Sequence, residues 1–220
     1  MATNNLAPQA TGVNRLIDWF SQKINPKPEQ APTQTSLPSE WSKFVMPNSA
    51  AYEAAVLLNA TGRLPKINFA KLSTDGRSGE YDRESNSITI DSKTNSQSTL
   101  PHELTHALRY ALQNKVRELG TVAKQTGNPL VGIDKQLFDT WYALDPDFLE
   151  IPKLNYPDSK YQDYRYSYNE APAFGVGNME SKADYYSTSP GGRHYDATMA
   201  QEQAILRDLY ARQLNVNLKK

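Results

Sequence analysis

Residues 99–112, with the sequence TLPHELTHALRYAL, carry the most informative pattern in this chain of 220 residues. We expect Thr99 to cap a helix, because threonine before a first turn that contains proline is typical of a helix start. Apolar residues then recur at helical spacing. His102 and His106 are four residues apart, so both side chains lie on one helical face, with Glu103 beside them. The pattern predicts a helix that presents two imidazoles to one metal ion and holds the Glu103 carboxylate within reach of the water on that metal.

The spacing H-E-x-x-H resembles the signature of the zincins, a superfamily of zinc metallopeptidases, and the resemblance covers about residues 64–200. It implies an α+β fold with a short antiparallel or mixed sheet, the motif helix and a second ligand-bearing helix. It also implies that His102 and His106 bind Zn²⁺ and that Glu103 is the general base. Residues 87–91 alternate as a strand does, and the resemblance places this strand at the sheet edge facing the substrate cleft. Its exposed backbone could there pair with an extended peptide.

The third metal ligand is less specific in sequence. Arg109 and Leu112 occupy the positions where metzincins carry a further histidine, and the chain has no cysteine, which leaves a carboxylate or His194. We prefer Glu170, since the sequence NEAPAF at residues 169–174 predicts a helix start and resembles the second, glutamate-bearing helix of gluzincins. Favourable interaction with the helix dipole is the alternative role for this acid. The other candidate ligands are Asp158, Asp163 and Asp184.

Two positions near these ligands differ from, or add to, the gluzincin pattern. Some gluzincins carry an acid four residues after the ligand glutamate, whereas this chain has Phe174 there, so a histidine ligand must be oriented by another group. Further along, we prefer His194 and Tyr195, in a segment that follows two glycines, as groups that stabilise negative charge on a substrate carbonyl. A surface loop without a role is the alternative. Other candidates are Tyr168, Tyr185, Tyr186 and Arg193.

Composition narrows the possible partners. Lys and Arg total 24 and Asp and Glu total 24, so the formal net charge is zero and nucleic-acid binding is not expected. Without cysteine there are no disulfides and no thiolate ligands. Residues 1–12 lack the features of a signal peptide, and no apolar run approaches the ~20 residues of a membrane span. We expect a soluble protein that is cytoplasmic, virion-associated or delivered by a dedicated secretion route.

The chain divides into residues 1–38, an amphipathic helix at 13–24 with a proline-rich linker, and residues 39–220, the zincin-like domain. The short helix cannot bury its apolar face alone, so it docks on the domain or on a separate partner. Within the domain the patterns predict further elements. These are a helix at 50–58 closed by Gly62, short strands at 67–69 and 80–81, and a last helix at 197–214 with Ile205, Leu206 and Leu209 inward. Prolines at 146, 152 and 157 argue against long helices in the aromatic span 140–168.

The function predicted from these features is a zinc-dependent peptidase, a hydrolase that attacks peptide bonds with a metal-activated water and Glu103 as general base. Its substrate is a protein or the peptide cross-links of a cell wall. An effector-type protease delivered into a target cell is a variant of this hypothesis. The alternative is a non-catalytic structural or interaction protein that retains a zincin fold, for example a component of a virion or an injection apparatus.

Overall fold

A computed structural model describes most of the chain from Ser36 onward and confirms the α+β class. It contains five α-helices and one mixed sheet of three strands within the described residues. The described ranges are 36–72, 76–93, 98–149, 170–181 and 190–218, except for the side chains of 145–149, 178–181 and 190–199.

The elements alternate along the chain so that the sheet is complete before the motif helix begins. A short 3₁₀ helix, Ser39–Lys43, precedes them. The helices are α1 (Ala50–Ala60), α2 (Thr99–Thr126), α3 (Gly132–Leu149), α4 (Ala171–Ser181) and α5 (Pro190–Gln213). The strands are β1 (Lys66–Ala70), β2 (Gly79–Asp82) and β3 (Ser87–Asp91).

Helix α1 ends as its sequence predicts. Gly62 lies just past the helix in the left-handed conformation, with φ of +68°. Its N–H donates to Asn59 O at 3.0 Å and the N–H of Arg63 donates to Leu58 O at 2.8 Å. This pair of bonds is the Schellman arrangement, which satisfies carbonyls that the helix itself leaves without donors.

The strand at residues 87–91 lies in the middle of the sheet, so its expected position at the cleft edge is wrong. The strand order is β1-β3-β2, with β1 parallel and β2 antiparallel to β3. Ile88 and Ile90 are buried, at 0% and 2% exposure. Both backbone edges of β3 are used by its neighbours, which leaves no edge for a peptide. The strand that faces the cleft is β2.

Helix α2 is the central support of the core. It begins at Thr99, one residue earlier than a Thr99 cap would place it, and Gly127 ends it in the left-handed conformation. Leu104, Leu108 and Leu112 recur at helical spacing and are fully buried. The opposite side of the same turns carries His102 and His106, so packing of the leucines in the core fixes the position of the histidine pair.

Helix α3 contradicts the expectation that residues 140–168 contain no long helix. It runs from Gly132 to Leu149 and passes through Pro146. Leu137, Trp141 and Leu144 are buried along one stripe, and this packing outweighs the one backbone hydrogen bond that a proline removes. The rest of that aromatic span, residues 150–168, lies outside the described residues.

Helix α5 packs mainly against α4 and α3, and it also contacts α1. Leu206 and Leu209 are buried and Ile205 packs against the core, as predicted. Arg207 of α5 forms an ion pair of 2.9 Å with Glu53 of α1. The helix begins at Pro190, seven residues before the predicted start, so the segment expected to form a loop after two glycines is helical.

The predicted amphipathic helix at residues 13–24 and the linker after it lie outside the described residues. The proposed division at residue 38 therefore stays a prediction, although Trp41 is already part of the core. No helix in the described part of the chain combines the length and the apolar character needed to cross a membrane.

Candidate metal centre

The histidine pair converges as the helical spacing predicts. His102 and His106 lie one turn apart on α2, and their Nε2 atoms are 3.2 Å from each other. Their rings meet edge to face with centroids 4.8 Å apart. Both side chains are largely buried, with 13% and 19% exposure, so the two nitrogens are held in place by packing.

Glu170 completes a triangle with the two imidazoles. It stands directly before α4, where its carbonyl accepts the N–H of Phe174 at 2.9 Å. Its Oε2 lies 3.3 Å from His102 Nε2 and 3.4 Å from His106 Nε2. Within the described residues this trio is the group whose ligand atoms are close enough to hold a metal ion. The competing candidates Asp158, Asp163 and Asp184 lie outside the described residues.

The triangle has the size and chemistry of a metal site. A tetrahedral ion bound at about 2.0–2.1 Å holds its ligand atoms about 3.3 Å apart, which matches all three edges. Glu170 Oε2 is buried and makes no hydrogen bond, although it lies at ion-pair distance from both imidazoles. When both imidazoles present an unprotonated Nε2, three lone pairs face one another, an arrangement that a cation between them stabilises. His102, His106 and Glu170 can therefore hold a metal ion.

The Glu170 carboxyl is ionised in this environment. Burial alone would raise its pKa, but the imidazoles of His102 and His106 outweigh burial and lower the pKa to about 2. A carboxylate that keeps its charge at all ordinary pH values is suited to bind a cation.

Glu103 lies in the same cleft in a different environment. Its side chain is only 6% exposed, and burial raises its pKa above the ordinary value. The imidazoles of His102 and His106 act in the opposite direction, whereas the charge of Glu170 raises the pKa further. The backbone N–H of Tyr81 donates a hydrogen bond to the carboxyl and fixes its direction. A buried carboxyl with a raised pKa is a stronger base than an exposed one.

Two glycines allow neighbouring elements to pack closely against the first turns of α2, which carry the motif. A Cβ on Gly79 of β2 would lie 2.6 Å from Thr99 Cγ2 and 2.9 Å from Glu103 Oε1. A Cβ on Gly177 of α4 would lie 3.0 Å from the carbonyl oxygen of Ser98. A side chain at Gly79 would force the strand or its neighbours to move, whereas one at Gly177 would make a tight contact that a small shift relieves. Strand β2 therefore covers the general-base candidate, and α4 covers the start of α2.

Phe174 takes the place of the acid that some gluzincins carry. Its ring packs edge to face against His102, with centroids 4.5 Å apart and planes at 70°. Packing of this kind limits the rotation of the imidazole. His102 is thus oriented partly by an apolar neighbour, which the sequence pattern did not predict.

The cleft beside His102, His106 and Glu170 has a volume of about 370 Å³. One wall is β2 and the other sides come from α2, α3 and Glu170. The residues that line it are Arg77, Gly79, Glu80, Tyr81, Arg83, His102, Glu103, His106, Arg109, Tyr110, Gln113, Trp141 and Glu170. The contributions of β2 and Arg109 depend on how separate elements pack, so the sequence patterns do not predict them. The one local signal of a close backbone approach is Gly79, which directly precedes the predicted strand at residues 80–81.

His194 and Tyr195 lie in the first turns of α5, but their side chains are outside the described residues. Their predicted role in charge stabilisation stays a prediction. Among the other candidates for that role, Arg193 also lies in α5 with its side chain outside the described residues, and Tyr168, Tyr185 and Tyr186 lie outside the described residues altogether.

Comparison of the chain with protein-family models, with curated proteins and with solved structures finds no match. The resemblance to zincins therefore stays a prediction based on the motif. What the site can do must be inferred from its own geometry and chemistry.

Proposed function

We propose that this chain is a zinc-dependent peptidase. The observation that carries the proposal is the position of Glu103, a buried carboxyl with a raised pKa in the same cleft as the three convergent ligand atoms. A site that only stabilises the fold usually surrounds its zinc with four protein ligands and has no use for a base. Three ligands, an open cleft and a neighbouring base are the arrangement expected for hydrolysis.

Zinc is the metal that this ligand set favours. Two imidazole nitrogens and one carboxylate oxygen suit Zn²⁺, and the edges of 3.2, 3.3 and 3.4 Å fit tetrahedral coordination. An octahedral ion at similar bond lengths would bring its adjacent ligand atoms to about 2.9 Å. His102, His106 and Glu170 would hold the ion and leave one side open toward the cleft.

The chemistry then follows from the residues of the cleft. A bound Zn²⁺ acts as a Lewis acid and lowers the pKa of water in the site to about 7. The Glu103 carboxylate accepts a proton from the attacking water, whose oxygen forms a bond to the substrate carbonyl carbon. As the carbon–nitrogen bond breaks, Glu103 donates this proton to the leaving amine. A carboxylate whose pKa is raised accepts a proton more readily, which favours the first of these transfers.

Strand β2 offers a path for an extended substrate. In the described residues only β3 pairs with β2, so the outer edge of β2 faces the cleft. The N–H of Tyr81 points to this edge, since it donates to Glu103. Gly79 is two residues away and directs its own backbone groups to the same side. A peptide that pairs with Gly79 would lie beside Glu103 and the metal ligands.

The test is hydrolysis of casein, and of peptidoglycan, by protein purified with zinc, after chelation and after zinc is restored. We expect activity that disappears on chelation and returns with zinc. Glu103→Gln should lower kcat about 100- to 10,000-fold while zinc stays bound, because only the proton carrier is lost. The matched control is Glu118→Gln, an exposed glutamate on the same helix that pairs with Lys115.

Two results would contradict the proposal. Hydrolysis that survives both chelation and Glu103→Gln would belong to a contaminant or to another site. A protein that binds zinc stoichiometrically but cleaves neither substrate would support the alternative, a non-catalytic structural or interaction protein.

A further inference from the structure

We propose that the cleft recognises a carboxylate of its peptide substrate, from an acidic side chain or from the chain terminus, and that Arg109 and Arg83 bind it. The inference rests on the proposed peptidase function and names the class of substrate. The first observation is the charge of the residues that line the cleft. Apart from the metal ligands and Glu103, the charged residues among those described at the cleft are three arginines and one acid: Arg77, Arg83, Arg109 and Glu80.

Arg109 is the buried member of this group of three arginines. It follows His106 by three residues on α2, so its Cα lies about 4.5 Å farther along the helix axis and on the same side. Its side chain is only 5% exposed and stacks on Trp141, with Cζ 5.6 Å from the ring centroid. Stacking holds the guanidinium plane still. With five N–H donors the group can keep a protein partner and also bind a carboxylate.

Arg83 and Arg77 belong to the wall opposite. Both are exposed residues that flank β2, the strand whose edge faces the cleft. Arg77 pairs with Glu80 at 3.1 Å, but both partners are nearly half exposed, so a substrate anion can compete with this weak pair. Asp82, one of the two acids adjacent to Arg83 in sequence, accepts hydrogen bonds from Ser85 Oγ at 2.6 Å and from the N–H of Glu84 at 2.9 Å, and its charge also interacts with Arg83. Asp82 is fully exposed, so water weakens this attraction and a substrate anion can compete for Arg83.

With a metal ion bound, the balance of charge favours an anion. Glu80, Glu103 and Glu170 balance the three arginines, so the residues that line the cleft have no net charge before a metal ion binds. A divalent ion held by the triad would then give the cleft a net positive charge. Such a field acts locally on the substrate, even though the whole chain has zero formal charge.

The experiment measures binding so that it does not depend on turnover. Three fluorescent nonapeptides of matched sequence are titrated into the zinc-loaded Glu103→Gln protein. The first has two central glutamates and an amidated end. The second has glutamines instead, and the third is the glutamine peptide with a free C-terminal carboxylate. We expect the first or the third to bind at least about tenfold more tightly than the second, and which of them does so identifies the source of the carboxylate.

Arginine variants test the assignment. Arg109→Gln and Arg83→Gln should each reduce the preference at least about threefold, and Arg109→Lys should retain only part of it, because lysine cannot bind a carboxylate in the bidentate manner. Arg117→Gln is the matched control, since Arg117 is an exposed arginine farther along α2 that pairs with Asn114. If Arg109→Gln lowers the melting temperature too far for use, Arg83→Gln and Arg109→Lys still test the proposal.

Equal affinity for the three peptides would overturn the proposal. So would a preference that survives both arginine-to-glutamine variants and disappears when zinc is removed, because the metal itself would then bind the carboxylate. Failure of the peptidase proposal has a different signature: the carboxylate preference would be intact while the wild-type protein cleaves nothing.

Discussion

Helix α2 packs against two walls of the site, strand β2 and helix α4, and the glutamates at these walls have pKa values shifted in opposite directions. On one side, β2 buries Glu103 and raises its pKa. On the other side, Glu170 precedes α4 and faces His102 and His106, and its pKa falls to about 2. Both carboxyls are largely removed from water, so burial alone does not separate them. The difference comes from direct contact with the imidazoles, which makes one acid suitable as a metal ligand and the other as a base.

Glutamine substitutions at Glu170 and at Glu103 distinguish the roles of the two walls most clearly. We expect Glu170→Gln to weaken zinc binding at least about 100-fold, because the neutral amide replaces the anionic ligand, while Glu103→Gln leaves zinc stoichiometry unchanged. Zinc content and competition with a chromogenic chelator measure both effects. Equal loss of zinc in the two variants would show that the walls do not have separate roles.

Thermal unfolding extends the same comparison to stability. At a free zinc concentration about 100 times the Kd, binding stabilises the folded state by about 2.7 kcal/mol, which raises the melting temperature by about 5–10 °C for a chain of this size. Calorimetry with and without zinc should show this increase in wild type and in Glu103→Gln. In Glu170→Gln the increase should be largely absent at the same zinc concentration, and its persistence there would exclude Glu170 as a ligand.

A methyl group on β2 tests the wall that covers the base. Gly79→Ala would bring a Cβ to 2.6 Å from Thr99 and 3.0 Å from Glu103 Cγ, so the strand or the glutamate must move. We expect the free energy of unfolding to fall by about 1–3 kcal/mol and hydrolysis to fall with it. Denaturant unfolding and casein assays measure the two changes. Retention of full activity would mean that β2 does not position Glu103.

The matching change on α4 should have the smallest effect. Gly177→Ala places a Cβ 3.0 Å from Ser98 O and 3.4 Å from His102 Cβ, but alanine also gains about 1 kcal/mol of helix propensity over glycine. We expect these effects to cancel to within about 1 kcal/mol in stability and zinc affinity to fall modestly as α4 shifts. Denaturant unfolding and zinc competition measure both. A larger loss of activity than of zinc binding would contradict the division between the walls.

Local sequence predicted the parts of this site that one element supplies. His102, Glu103 and His106 lie on a single helix, and their relative positions follow from its pitch. Glu170 was found because a helix start and ligand chemistry coincide. No local pattern indicates the β2 wall or Arg109, and the alternation at residues 87–91 does not distinguish the central strand that the structure shows from an edge strand. Each of these depends on pairing between segments that are far apart or whose order in the sheet has no local signal.

The sequence by itself determined the chemistry available to this protein: two histidines and a glutamate at helical spacing, a chain without cysteine and a formal charge of zero. Helix geometry is short-range, so residue spacing is enough to place those side chains on one face. The tertiary structure decided which strand covers Glu103, which acid meets the imidazoles and which arginines surround the cleft. Those outcomes depend on long-range packing, because the pKa of a carboxyl is set by the groups that fold against it and not by its neighbours in the chain.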